Sequence, residues 1–432
     1  MENKLLLGVA RKIISPAVGG QLFGYSPDVF SESLHDDLTA TAFYFEQGGV
    51  KALMLSATIC SWQSELADRI LQTIEARSGI PATHCILHAT HTHSGPNVTG
   101  SYGWGDIDMT YCEQILIPAI LAAVDEAMAA PVAVRVEIRQ GKSLVGINRR
   151  QLTVENKVIL GQNPWGPFDP RMTVITFADD SGKAVADMIH YGCHGTASGI
   201  NRQITRDWSG VMIDAMEDET GGITAFFNGP EGDVGPRLAN GKTTGDRDVR
   251  YALELGAVAA KDALAIRRNT ASSVEPVLEV THRTLQVPLA PRIPLQEARE
   301  LLESFSGHTV NLKGKKRHYY ECVVASYAEG YEELEFLKVS QTVVRIGDVA
   351  FVSFPFELFS EIGMRIAEAS PYPYTLSLSN TGGNEGYFVT EDQIIRGGYE
   401  VGMYQTANLQ PYAPHADHSV ILQTLAHLKG ET

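Results

Sequence analysis

The chain has 432 residues, 44% hydrophobic and 20% charged, which suffices for a large buried core and excludes disordered and collagen-like chains. Its formal charge of −16 and pI near 5.3 oppose binding to nucleic-acid phosphates and docking on anionic membranes. Five widely spaced cysteines, odd in number and without a C-x-x-C pair, read as free thiols and offer no disulfide or zinc-finger pattern.

The N-terminal segment MENKLLLGVARKIISP has an apolar run of only three leucines, far short of a secretion-signal core, so a cytoplasmic protein is expected. Residues 42–45 and 51–56 read as strands joined by a turn at Gln47-Gly48-Gly49. Residues 65–77 have helical spacing, with Leu66, Ile70, Leu71 and Ile74 on one face. Residues 85–89 form a strand that runs into THTHSGPN. Residues 114–130 read as a helix strained in its first turns by Pro118. The surrounding apolar stretch carries Asp125, Glu126 and two prolines, so it is not a membrane span. Residues 172–177 and 184–191 are strands around the turn Asp179-Asp180-Ser181-Gly182. Asp207 reads as the N-cap of a helix, residues 223–227 as a strand entering a Gly/Pro-rich loop, and residues 246–267 as a long helix.

Beyond residue 280 the pattern changes. Residues 295–305 are helical, and the basic patch Lys313 to Arg317 is expected on a loop. Residues 342–354 read as a hairpin around Ile346-Gly347-Asp348, and residues 357–369 as a helix. Residues 380–418, rich in Gly, Asn and Tyr, read as a loop of a length that is usually functional or else misassigned. The mixture predicts an α/β (α+β) layered fold: a mixed β-sheet core flanked by helices, with a metal site at strand-end loops. A single domain over residues 1–432 is expected, with a soft subdomain boundary near 280.

Four segments carry chemistry. His91-Thr92-His93 ends a predicted strand, where residues i and i+2 share a face. Two imidazoles there can bind a metal, or one can bind it while the other moves protons; the plain alternative is two hydrogen-bonded histidines. His194 follows another apolar strand between Gly192 and Gly195, which permit close backbone approach. NGPEGDVGPR (228–237) lacks the lysine of a phosphate-binding loop, and its Gly232-Asp233 is either a turn or part of a site. Glu357, in Phe354-Pro355-Phe356-Glu357, is costly to bury unless paired or metal-bound, although a first-turn helix glutamate would also suit Pro355.

Taken in order, these segments resemble the N-terminal catalytic domain of the neutral, non-lysosomal ceramidase family. GVARKIISP and LHDDLTATAFYF resemble its opening, THTHSGP its most specific motif, GINRR its N-R motif, and DPRMTVITF the strand after it. HGTAS is similar to its H-G-T-S, EGDVGP to its G-D-V-S-P, and Gly386-Tyr387-Phe388-Val389-Thr390 to its G-Y-x-x-T, with Tyr399-Glu400 twelve residues beyond Tyr387. The resemblance implies a Zn2+ ion held by His91, His194, Glu357 and Tyr387, activating water against a C–N amide bond. It also implies that His93, Arg149 and Tyr399 surround the reacting carbonyl. On physical grounds Asp207 or Asp233 is a candidate to orient a ligand histidine, with a plain helix cap as the alternative for Asp207.

The chain departs from the family pattern in three places. Gly235 replaces the serine of G-D-V-S-P, Arg237 replaces the following Asn, and Ala197 is inserted before Ser198. A serine nucleophile is thereby excluded at 235, which favours direct attack by water. Family members are usually exported and carry a C-terminal immunoglobulin-like domain, so this chain is expected to be a short, cytoplasmic member without it. The expected substrate is a small-molecule amide or a lipid-like one. A non-catalytic zinc-site binding protein, and an esterase or deacetylase using the same site, are the alternatives.

Overall fold

The structure, a computed structural model, describes residues 4–404 and 409–431. The fold is mixed α/β, as expected, and is built on three sheets.

The first sheet has the order Cys85–Ala89, Val50–Ala57, Thr39–Gln47, Leu6–Ile13, Val132–Ala133, with one parallel pair, Val50–Ala57 beside Cys85–Ala89. In Thr39–Gln47 the period of two sorts the faces: Ala42 and Tyr44 pack toward the helices Ser64–Ser78 and Ile117–Ala129, while Phe43 and Phe45 face the second sheet. The second sheet has the order Ile223–Asn228, Ala184–Tyr191, Arg171–Ala178, Arg135–Lys142, Ser272–Val274, with its first two strands parallel. Phe177 and Phe227 of this sheet meet Phe43 at ring-centroid distances of 6.5 and 6.0 Å. Its opposite face is covered by Asp207–Thr220 and Arg250–Arg267, through Trp208, Met212, Met216 and Ala259. The result is four layers, helices outside two facing sheets, held by burial of large apolar side chains.

The third sheet, Leu278–Pro288, Phe336–Ile346, Val349–Ser353, Tyr374–Leu378, ends in a third parallel pair. Its Val344, Phe351 and Leu376 join the same core as Phe43 and Phe177, and its other face packs on Ser360–Ala369 and Ala416–Leu428. The parallel pairs of these three sheets deliver loops from their strand C-termini to one region, the usual location of a site in such sheets.

Close packing of Leu6–Ile13 under Ile117–Ala129 requires Gly8, because a Cβ there would lie 1.6 Å from the Ala127 carbonyl oxygen. Gly8→Ala is expected to lower stability by about 3 kcal/mol or more, at the upper end of overpacking costs. Denaturant unfolding monitored by circular dichroism measures this directly.

Several local expectations are corrected. Lys313 to Arg317 lie in the helix Asn311–Ala328, not a loop. That helix buries only a short stripe (Gly314, Tyr319, Tyr320, Val323, Ser326), so its helical period is faint. Residues 357–369 are not one helix: Glu357–Leu358 pairs with Tyr387–Phe388, and the helix begins at Ser360. The helix around Pro118 starts earlier, at Met109 with Asp108 accepting from Tyr111 N, and passes through a π-turn at Cys112–Leu116. Pro118 has no N–H to give, and the wider turn accommodates the loss. The long loop at 380–418 holds a short strand and the helices Glu391–Arg396 and Tyr399–Tyr404; residues 405–408 lie outside the described residues. Among the described residues no helix is long and apolar enough to cross a membrane.

Candidate metal centre

His91 and His93 lie beyond the end of Cys85–Ala89, so strand alternation does not align them. Instead His91 takes a left-handed backbone with φ of +69°, and the two rings meet at 4.9 Å between centroids, nearly perpendicular. His194 reaches the same point from the end of Ala184–Tyr191, with its ring 4.5 Å from that of His91. Glu357 arrives just after Val349–Ser353, and Tyr387 is its partner across the short parallel pairing.

The donor atoms converge. Glu357 Oε2 lies 3.2 Å from His194 Nε2 and 3.4 Å from His91 Nε2; Tyr387 Oη lies 3.4 Å from His194 Nε2; His93 Nε2 lies 3.3 Å from His91 Nε2. The tautomers follow from the outer partners. His91 Nδ1 is 2.8 Å from the Cys60 carbonyl, and His194 Nδ1 is 2.8 Å from that of Glu231 and 3.1 Å from that of Val234. A carbonyl only accepts, so both Nδ1 atoms carry hydrogen and both Nε2 lone pairs face Glu357.

A buried carboxylate oxygen opposed by two lone pairs has no hydrogen to accept, and Glu357 Oε2 is indeed unpartnered. A tetrahedral zinc with bonds of about 2.0–2.1 Å sets its ligand atoms about 3.3–3.4 Å apart, so the residues fit such an ion.

Without an ion, the groups of this cluster shift one another strongly. Burial opposes ionisation of Glu357, but His91 and His194 outweigh it and hold the carboxyl well below its usual range. Burial, then Arg149 and His91, pushes His194 down to about 3, so it stays neutral. His91 is pushed up: burial works against this, but Cys60 and Glu357 prevail. Burial together with His91 and His194 holds His93 well below the ordinary imidazole range.

Arg149 stands one step behind. Its Nη2 donates to Tyr387 Oη at 2.9 Å, and its Nε donates to Glu400 at 2.9 Å. Arg150 donates to the other oxygen of Glu400 at 2.5 Å, so one buried carboxylate holds two buried guanidinium groups. Tyr399 comes within 6.0 Å of Tyr387, centroid to centroid, and lines a cleft of about 670 Å³ together with His91, His93, Glu357 and Tyr387.

The aspartates expected to orient a histidine do other work. Asp207 accepts from Ala197 N, Ser198 N and Oγ, and Trp208 N, shaping the loop that carries His194. Asp233 accepts from Asn148 Nδ2 and from Ser360 N and Oγ. Backbone carbonyls orient the imidazoles in their place.

Glu231 was not singled out from sequence. Its ligand atom lies within 4.8 Å of those of His91, His194 and Glu357, and burial pushes its carboxyl up to about 7. Asn380 donates to its Oε1 at 2.7 Å, while Oε2 has no partner. The available signal was an acidic residue in a Gly/Pro loop directly after the strand Ile223–Asn228.

Gly235 leaves no room for the serine it replaces, since a Cβ would lie 2.5 Å from Thr243 Cβ.

Imidazoles and carboxylates converging at strand ends under an open cleft define a layered α/β protein with a candidate metal-binding centre. The family model for neutral/alkaline non-lysosomal ceramidase, N-terminal, matches residues 5–251, more than half of the chain, and the chain belongs to that family. Glu357, Tyr387 and Tyr399 lie beyond the matched segment. The fold is similar to that of neutral ceramidase from Pseudomonas aeruginosa, with a TM-score of 0.77 and 19% identity over 100% of this chain and 75% of that one. It is also similar to a ceramidase complexed with C2, with a TM-score of 0.76 and 17% identity over 99% and 75% of the respective chains. No curated protein matches the chain significantly.

Proposed function

We propose that this protein is a zinc-dependent amidohydrolase in which His91, His194, Glu357 and Tyr387 hold the metal and His93, Tyr399 and Arg149 serve the reaction. The observation that carries the reading is the 3.2–3.4 Å spacing of His91, His194, Glu357 and Tyr387 donor atoms around an unpartnered carboxylate oxygen. When bound, zinc supplies a Lewis acid that lowers the pKa of water from about 16 toward about 7.

The reaction adds water to the amide carbon and breaks the C–N bond, and a proton passes to the leaving nitrogen, giving a carboxylate and an amine. His93 is suited to carry that proton, because burial and two neighbouring imidazoles keep it neutral while it lines the cleft beside His91. Tyr399 also lines the cleft, and burial holds its hydroxyl protonated, so it donates to the oxygen that gains negative charge. Arg149 acts through Tyr387, fixing its hydroxyl by the 2.9 Å bond. The absence of space at Gly235 supports attack by water instead of by a serine.

Residues 1–432 act as one catalytic unit in this reading, and five free cysteines favour a reducing, cytoplasmic setting. Polar residues Ser61, Thr99 and Asn384 in the cleft favour an amide smaller and more soluble than ceramide.

The test is His93→Ala. Its kcat on amide substrates is expected to fall about 100- to 10,000-fold, the range for a lost acid–base group, with metal content unchanged. Full activity in that variant would remove His93 from the mechanism. No turnover of any amide by the zinc-loaded wild-type protein would leave a binding protein; turnover of matched esters alone would make it an esterase.

A further inference from the structure

The helix Asn311–Ala328 forms one wall of the cleft and brings into it a lysine ammonium. It is docked firmly: Asn311 N donates to Gly103 O at 2.8 Å, a Cβ on Gly103 would lie 2.7 Å from Asn311 O, and His318 stacks on Tyr102 at 4.0 Å with planes 11° apart. Lys315, one turn into this helix, lines the cleft with His91, Glu357 and Tyr399, and its Nζ lies 5.8 Å from the Trp104 ring centroid. Among the described residues it forms no ion pair.

Burial pushes the half-buried ammonium down to about 8, and the one carboxylate that opposes this is Glu357. Glu65 and Glu385 also line the cleft, but neither pairs with Lys315, and Glu385 accepts from Ser64 Oγ at 3.5 Å. A cation bound at Glu357 would offset the carboxylate whose field reaches Lys315. A desolvated ammonium is costly without an anion, and the missing anion must come from what enters the cleft. The described walls contain one aliphatic residue, Leu409, and are otherwise aromatic or hydrogen-bonding, which does not match a long alkyl chain.

We propose that Lys315 is a specificity-determining residue that binds a carboxylate on the substrate. The preferred amide is then anionic, of the N-acyl amino acid type, and not a neutral long-chain amide. This rests on the amidohydrolase reading for the bond that is cleaved, but not for the charge that is recognised.

The experiment compares N-octanoylglycine with N-octanoylglycinamide, which differ by one charge, on the zinc-loaded full chain. The wild type is expected to favour the anion in kcat/KM by about 10- to 100-fold, the scale of a hydrogen bond to a charged group. Lys315→Met is expected to abolish that ratio, mainly through KM, and Lys315→Arg to keep most of it. Calorimetric binding of N-octanoylglycine to His93→Ala protein, with and without Lys315→Met, reads recognition without turnover; the methionine is expected to weaken it at least about 10-fold. Turnover of both amides with no charge preference overturns the proposal and leaves the amidohydrolase standing. Lysine-dependent binding with no turnover by the wild type removes the amidohydrolase and leaves the anion site. Binding that is equal with lysine and methionine overturns the proposal whatever the turnover.

Discussion

Glu357→Ala protein is expected to lose its metal and its activity together. Glu357 Oε2 lies 3.2 and 3.4 Å from the two imidazole Nε2 atoms, and Glu357 brings the negative charge to the His91–His194–Glu357 set. Even groups that merely orient metal ligands cost about 10- to 100-fold in metal affinity when removed, so loss of a charged ligand is expected to exceed about 100-fold. Without the ion, water loses the activation that brings its pKa from about 16 toward about 7, and kcat/KM is expected to fall at least about 1,000-fold. Glu357→Gln keeps the shape and removes the charge, so it should behave similarly. Elemental analysis of purified protein beside amide turnover reads both effects, and thermal melting shows that the variant is folded. Stoichiometric zinc and undiminished turnover in Glu357→Ala would end the metal proposal.

Glu400→Leu is expected to produce the largest loss of stability among the site substitutions. Glu400 accepts from Arg149 Nε at 2.9 Å and from Arg150 Nη1 at 2.5 Å, and all three side chains are almost fully buried. Removing the carboxylate strands two desolvated guanidinium groups. Breaking one buried pair by deleting a partner costs about 3–5 kcal/mol, and here two pairs break. Arg150 retains the Gln393 side chain and the Gly397 carbonyl, whereas Arg149 is left with Tyr387 alone among the described residues. Activity should therefore fall too, because the Tyr387 hydroxyl loses an anchored donor. Glu400→Gln keeps an acceptor without the charge and is expected to lie between leucine and wild type. A melting curve for Glu400→Leu that overlays the wild type would refute the argument.

Much of the site was legible in sequence because its side chains are chemically distinctive and follow recognisable strands. THTHSGP after the apolar run at 85–89 and HGTAS after 184–191 drew attention for that reason, and their histidines do meet. The explanation offered for His91 and His93 was different from the one observed. They converge through a left-handed turn at His91, and a positive φ at a histidine leaves no mark in residue types. The carbonyls of Cys60, Glu231 and Val234, which set the histidine tautomers, have no side-chain signature at all. Glu231 escaped notice because an acidic residue in a Gly/Pro loop reads equally well as an exposed turn.

The same contrast holds for the fold. Hairpins such as 42–56 and 342–354 announced themselves by short apolar runs around glycine turns. The strand Arg135–Lys142 has no such run: Val136 and Ile138 face inward, alternating with the charged Arg135, Glu137 and Arg139, which disguised it. The helix carrying Lys315 was hidden by a run of basic residues and a central glycine, and only docking against Gly103 reveals which way it faces.

The wide separation of the four converging side chains along the polypeptide has a consequence for biogenesis. His91 leaves the ribosome 296 residues before Tyr387 (387 − 91). At synthesis rates of about 5–20 residues per second this is a delay of roughly 15–60 s. During that interval a nascent chain can build the first two sheets and expose both histidines, yet it lacks Glu357 and Tyr387. In the zinc reading, a cation held by all four groups would be captured only when the last sheet has docked, and its acquisition would be a late event that reports completed folding.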